Sequence, residues 1–221
     1  MLFRSDHRQI YSQTLYAEEI KAVCNDMSWN SADFLAHSMA GPISVKTASM
    51  YPDLFKSLFL LDSIIVVPPD KARSFSGRGS MVRSDFVYDD LESAVESFRL
   101  IPPQPCNNDY LLKHIAINSF KQTEQGWVLK SDGMIMRTYT YEDLTDIFMS
   151  LKCPIYLVYG LMSQIFSQEI LEYTTYVGNL TEESVVGIPG AMHHLFIDEP
   201  IIFVEEVKRL LKKYELVNEQ G

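Results

Sequence analysis

Ala32-Asp33-Phe34-Leu35-Ala36-His37-Ser38-Met39-Ala40-Gly41-Pro42 is the stretch that decides how this chain folds. Residues 32–36 read as a short strand, His37 to Pro42 as a turn of small residues, and residues 43–50 as a helix stopped by Tyr51-Pro52-Asp53. Residues 57–65 then form a nearly continuous apolar run of strand length, the pattern of a strand buried on both faces. Strand, helix and strand joined through a tight first turn make a βαβ unit, and therefore a parallel sheet. A serine on such a turn adopts a strained backbone that stands its hydroxyl above the sheet. The residues two before and two after it crowd each other and must be small. Ala36 and Ala40 meet that need, although the motif G-x-S-x-G has glycine at both places. Serine is also an ordinary cap in the first turn of a helix. The strand before and the helix after favour the nucleophile reading of Ser38.

Outward from this turn the α/β pattern continues on both sides. Residues 14–27 carry Leu15, Ala17, Ile20, Val23 and Cys24 at helical spacing, with Glu18, Glu19 and Lys21 between them. Beyond residue 67 strand signals vanish until about residue 150. Residues 74–80 read as a loop, and residues 91–100 and 109–120 as helices. A mostly helical insert between sheet strands is often a lid over a site. Ile155-Tyr156-Leu157-Val158-Tyr159-Gly160 then reads as another buried strand and residues 169–176 as a helix. Residues 184–188 read as a short strand, and residues 199–214 as an amphipathic helix with Phe203, Val207, Leu210 and Leu211 on one face. This gives core at residues 1–67, a lid at 68–150 and core again at 151–221.

Composition excludes several classes. The 221 residues hold 19 Lys plus Arg against 29 Asp plus Glu, a formal net charge of −10. That argues against a nucleic-acid backbone binder and against docking on an anionic membrane surface. The 47 % hydrophobic content is too high for a disordered acidic chain. Cys24, Cys106 and Cys153 form no CxxC pair, so neither a zinc knuckle nor a disulfide framework is expected. Cys106 has no close basic neighbour to make its thiol reactive. The N-terminus lacks the apolar region of a signal peptide, and the longest apolar run is too short to span a bilayer, so a cytoplasmic location is expected.

The second chemical signal is Ile188-Pro189-Gly190-Ala191-Met192-His193-His194-Leu195, which puts histidine on a loop between the last strand and the last helix. A serine nucleophile needs an imidazole to take its proton. A loop histidine is more often structural or solvated, and two adjacent ones suggest a metal, but no further ligand completes such a site by spacing. The order serine after one strand, then histidine after the last, is that of an α/β-hydrolase.

Taken together, these segments resemble the α/β-hydrolase superfamily, in the branch of lid-bearing bacterial serine hydrolases. Arg4-Ser5-Asp6 is similar to the end of the family's G-x-G-x-S-D loop, and Leu35 to Gly41 to its nucleophile elbow. Leu58-Phe59-Leu60-Leu61-Asp62 resembles the next strand, Cys153 to Gly160 the strand before the usual acid, and Pro189 to His193 the histidine loop. Phe98 to Cys106, His114-Ile115-Ala116 and Gly126-Trp127 resemble lid patterns, although plain helix packing explains most of them equally well. The resemblance implies a mostly parallel α/β-hydrolase sheet with an inserted helical lid. It implies Ser38 as nucleophile, His193 as general base with His194 as second choice, and the backbone N–H of Met39 as an oxyanion donor. His37 would be a scaffold residue of the elbow.

Two departures from the family pattern matter. The position three after Gly160, where the family commonly has Asp, is Ser163. Some members take the carboxylate from the end of the strand after the nucleophile helix, where Asp62 stands, so Asp62 is the candidate acid. Its alternative is a polar residue closing a buried strand. The resemblance also places further strands, a helix and a second oxyanion donor ahead of Arg4-Ser5-Asp6. The sequence is therefore expected to be N-terminally incomplete, with an exposed sheet edge.

The expected function is a serine hydrolase cleaving an ester or similar small carbonyl substrate through an acyl-enzyme. It would use a small-molecule substrate, no cofactor and no metal. C–C bond hydrolysis by the same constellation is a close variant. The rival reading is a catalytically impaired α/β-hydrolase-fold binding protein or a truncated fragment.

Overall fold

A computed structural model describes residues 10–71, 86–139 and 142–218. Arg4-Ser5-Asp6, the loop at 74–80 and Tyr141 lie outside the described residues. The chain divides into two compact units, one of residues 13–72 and 142–221, the other of residues 1–12 and 73–141.

The first unit is built on a parallel four-stranded sheet in the order β1-β2-β5-β6. Its strands are β1 (Ala32–His37), β2 (Phe55–Leu61), β5 (Ile155–Gly160) and β6 (Val185–Ile188). Leu35 lies beside Phe59, Leu58 beside Ile155 and Val158 beside Val186. β2 is interior, and Leu58, Phe59 and Leu60 are wholly buried, as its unbroken apolar run requires. β1 is an edge among the described residues, and there Leu35 is 47 % exposed.

Alternation along the strands separates two cores. Phe59, Leu61, Tyr156 and Val158 cluster with Ile188, Leu195, Val207 and Leu210, the last two from helix α9 (Pro200–Asn218). Phe59 and Tyr156 stack with ring centroids 4.7 Å apart. Helices α1 (Gln13–Asp26) and α2 (Ala40–Met50) pack on each other and contribute the buried Tyr16, Ala17, Ile43 and Val45. Residues 142–150, read from sequence with the insert, belong to this unit and include helix α6 (Thr145–Ser150). Helix α7 (Gln168–Val177) is capped by Ser167, whose hydroxyl accepts from Ile170 N–H at 3.4 Å.

The second unit holds helices α3 (Leu91–Ser97), α4 (Asp109–Ser119) and α5 (Met134–Thr138). Asp90 caps α3 and Asn108 caps α4 through their side-chain oxygens. The expectation that strands vanish across this segment is corrected by an antiparallel hairpin of β3 (Phe120–Thr123) and β4 (Gly126–Leu129). Its strands are four residues each, too short for an alternation to register, and Lys121 and Gln122 break the apolar pattern. Gly126 closes the two-residue turn at φ 133°, and a Cβ there would meet the Tyr88 carbonyl oxygen at 2.5 Å. The side chain of Tyr11 donates to Asp132 Oδ2 at 2.7 Å and ties the start of the described chain into this unit.

Among the described residues no helix is long and apolar enough to cross a membrane. The short helix α8 (Leu195–Asp198) follows β6 and carries the chain into α9.

Candidate active site

The ends of β1, β2, β5 and β6 converge on one group of side chains, all within the sheet unit. Ser38 follows the last residue of β1 and stands at φ 54°, a left-handed conformation that non-glycine residues rarely adopt. Its neighbours hold it there. Ser38 N–H donates to the Leu61 carbonyl at 3.1 Å. Its own carbonyl accepts from Gly41 N–H at 3.0 Å and from the Ser63 hydroxyl. A side chain at Gly41 would fall on that Ser63 side chain and within 2.9 Å of Ile65 Cδ1. Met39 follows in right-handed conformation as the residue that caps α2.

Asp62 follows the last residue of β2, also at positive φ, 44°, and is wholly buried. Its backbone N–H donates to Val158 O at 2.8 Å, which turns the carboxylate toward the end of β5. There Oδ2 accepts from Gly160 N–H at 3.0 Å, and Oδ1 accepts from the Ser163 hydroxyl at 2.8 Å. A buried carboxylate needs such donors, because the charge has left water.

His193 lies on the loop between β6 and α8 and is 3 % exposed. Its Nδ1 is 3.1 Å from Asp62 Oδ1 and its Nε2 is 2.9 Å from Ser38 Oγ. With a carboxylate at Nδ1, the neutral ring carries its proton there. The Nε2 lone pair is left to accept the serine hydroxyl. The loop is fixed by Met192 N–H donating to Asp198 Oδ2 at 2.8 Å and Met162 N–H donating to Ala191 O at 2.9 Å.

His37 Nε2–H donates to the His193 carbonyl at 2.9 Å, and the two rings lie 4.6 Å apart. Burial pulls the His37 imidazole down to about 4. Its bond to the His193 carbonyl pulls the other way, and the adjacent His193 and His194 rings push it down further. His37 is thus a neutral donor that braces the histidine loop. His194 stands edge-on to His193 at 4.9 Å between ring centroids, and the contact to Ser38 comes from His193. Among the described residues no group of three His, Cys, Asp or Glu is arranged to hold a metal ion.

The structure therefore brings Ser38, His193 and Asp62 into one line, with Met39 N–H opening the helix beside Ser38. Sequence reading treated Ser163 only as a place where an acid is lacking, yet its hydroxyl bonds to the acid that stands at Asp62. It also missed Gly160 N–H and the His37 bond, since neither has a local signature.

Comparison with known proteins bears on the family and the fold. A family profile for the alpha/beta hydrolase fold matches residues 5–200. A pimeloyl-[acyl-carrier protein] methyl ester esterase of Wigglesworthia glossinidia brevipalpis is 23 % identical over 184 residues, 80 % of this chain and 68 % of that protein. Among solved structures, an esterase from Mycobacterium tuberculosis superposes with a TM-score of 0.73 at 20 % identity, covering 92 % of this chain and 69 % of that one. A thioesterase domain from the curacin biosynthetic pathway superposes with a TM-score of 0.70 at 19 % identity, covering 94 % and 77 %.

Proposed function

We propose that this chain, a hydrolase-type enzyme that belongs to the α/β-hydrolase fold family, is a serine hydrolase cleaving an ester or similar small carbonyl substrate through an acyl-enzyme. The observation that carries the reading is the line of hydrogen bonds from Ser38 Oγ through both ring nitrogens of His193 to Asp62. Ser38 Oγ attacks the substrate carbonyl carbon while His193 Nε2 takes its proton. Asp62 keeps the imidazole in the tautomer that can accept this proton, and its charge stabilises the imidazolium that results. Met39 N–H donates to the developing oxyanion. His193 then returns the proton to the leaving group, and the acyl-serine forms as that bond breaks. Water, deprotonated by the same ring, releases the acid. Esterases and a thioesterase domain among the similar proteins favour carboxylic ester or thioester substrates over C–C cleavage.

The test is covalent labelling of the full chain with a fluorophosphonate, beside Ser38→Ala. Stoichiometric labelling that vanishes in the variant is the expected result, followed by turnover of short-chain p-nitrophenyl esters. A protein that melts cooperatively yet takes no label would overturn the reading.

A further inference from the structure

We propose that Ser163 is the positioning residue that aims the Asp62 carboxylate at His193, and thereby sets how fast Ser38 is activated; this rests on the hydrolase reading above. Ser163 Oγ sits where two donors and one acceptor meet. The N–H groups of Ile165 and Phe166 point at it from 3.3 and 3.4 Å. These donors occupy its lone pairs, and its one proton goes to Asp62 Oδ1 at 2.8 Å. A serine hydroxyl is ordinarily a free rotor that gives or takes. Here the turn at 163–166 makes it a one-way donor.

That direction matters because of what else holds Asp62. Gly160 N–H fixes only Oδ2. One bond on one oxygen leaves the carboxylate free to turn about that anchor, and Oδ1 is the oxygen His193 Nδ1 needs. Ser163 supplies the second anchor, on the same Oδ1, and stops the turn. Without it the Nδ1–H···Oδ1 bond lengthens. The tautomer with its proton on Nε2, which cannot accept from Ser38, then gains population. Ser163 touches no reacting atom, so its effect passes entirely through Asp62.

The geometry also predicts that acid and donor can exchange places. Ser163 Oγ is 2.8 Å from an oxygen that is itself 3.1 Å from Nδ1, so a carboxylate at 163 extends toward the same ring nitrogen. With Asn at 62, the amide oxygen keeps Gly160 N–H and the amide NH2 donates to the carboxylate at 163. Charge and donor count are then preserved, with the two roles reversed.

The experiment measures the phosphonylation rate of the full chain by a fluorophosphonate, together with the downfield NMR resonance of the His193 Nδ1 proton. Ser163→Ala is expected to slow phosphonylation about tenfold with half-saturation by the probe unchanged, and to broaden or lose the resonance. Ser163→Thr keeps the hydroxyl and is expected to stay within about twofold of the parent, with the resonance intact. The exchanged pair, Asp62→Asn with Ser163→Asp, is expected to regain at least about tenfold over Asp62→Asn alone. If Ser163→Ala keeps parental rate and resonance, or Ser163→Thr is as damaged as Ser163→Ala, the proposal fails. If the parent shows the resonance but takes no label, the hydrolase reading fails, and Ser163 is still judged by the resonance.

Discussion

Gly160 donates its backbone N–H to Asp62 Oδ2 at 3.0 Å, so the last residue of β5 holds the carboxylate that ends β2. The same residue lies against the histidine loop: a Cβ here would meet the Ala191 carbonyl oxygen at 2.5 Å and fall on that of Met192. Backbone cannot yield as a flexible side chain can. Gly160→Ala is therefore expected to cost about 1–3 kcal/mol of stability. It should also slow Ser38 labelling at least about tenfold, because the loop must move away from Asp62 and Ser38. Urea unfolding and labelling kinetics check both, and parental values for both would show that the close approach is not required.

Asp62→Asn separates charge from shape. Asn tolerates the positive φ of 44° at this position, and its amide oxygen can still accept from Gly160, so folding is expected to survive. The amide NH2 cannot accept from Nδ1, which drives the ring proton to Nε2. A fall in turnover of about 10³–10⁴ is expected with a near-parental melting temperature. A fall of less than about tenfold would mean that another group orients His193.

Much of this site was legible in the sequence because its chemistry is local. The elbow at Ser38 announces itself through small residues between a strand and a helix, and His193 through its loop after the last strand. Asp62 was reachable as the candidate acid, although a lone acid closing a buried strand has an equally good structural explanation. Its contact with His193 spans 131 residues of chain, a distance that no spacing encodes. Ser163 and His37 act through bonds to residues far away in the chain, so composition around them carries no trace. The β3–β4 hairpin escaped for another reason. Its strands pair with each other and with Tyr88 but are too short and too polar to display period two.

Gly41→Ala tests whether the elbow needs its glycine three residues after Ser38. A Cβ at 41 would fall on the Ser63 side chain, which is wholly buried and bonded to the Ser38 carbonyl. Relief requires Ser63 or the turn to shift, either of which releases Ser38 from φ 54°. A loss of about 1–3 kcal/mol is expected, together with reduced labelling. The double variant Gly41→Ala with Ser63→Ala makes room and is expected to recover part of the stability. If Ser63→Ala gives no relief, the clash is not the cause.

His37 predicts how stability follows pH. Burial holds the folded-state imidazole at about 4, below its ordinary 6.5. Between those values the unfolded chain carries a proton that the folded one lacks, so unfolding takes up a proton there. Stability is thus unaffected by this group above 6.5, falls as pH drops toward 4, and levels off below. From about pH 7.5 to about pH 5 the loss from this one ring is about 2 kcal/mol at most, since the ring keeps some contact with water. His37→Gln retains an N–H donor for the His193 carbonyl but does not titrate. Urea unfolding of parent and variant at both pH values is expected to give a smaller acid-side loss in the variant, with labelling at neutral pH largely retained. An identical pH dependence in the two proteins would place the His37 pKa near its ordinary value. A collapse of labelling in His37→Gln would mean that the imidazole itself, beyond its N–H donor, is needed to hold the loop.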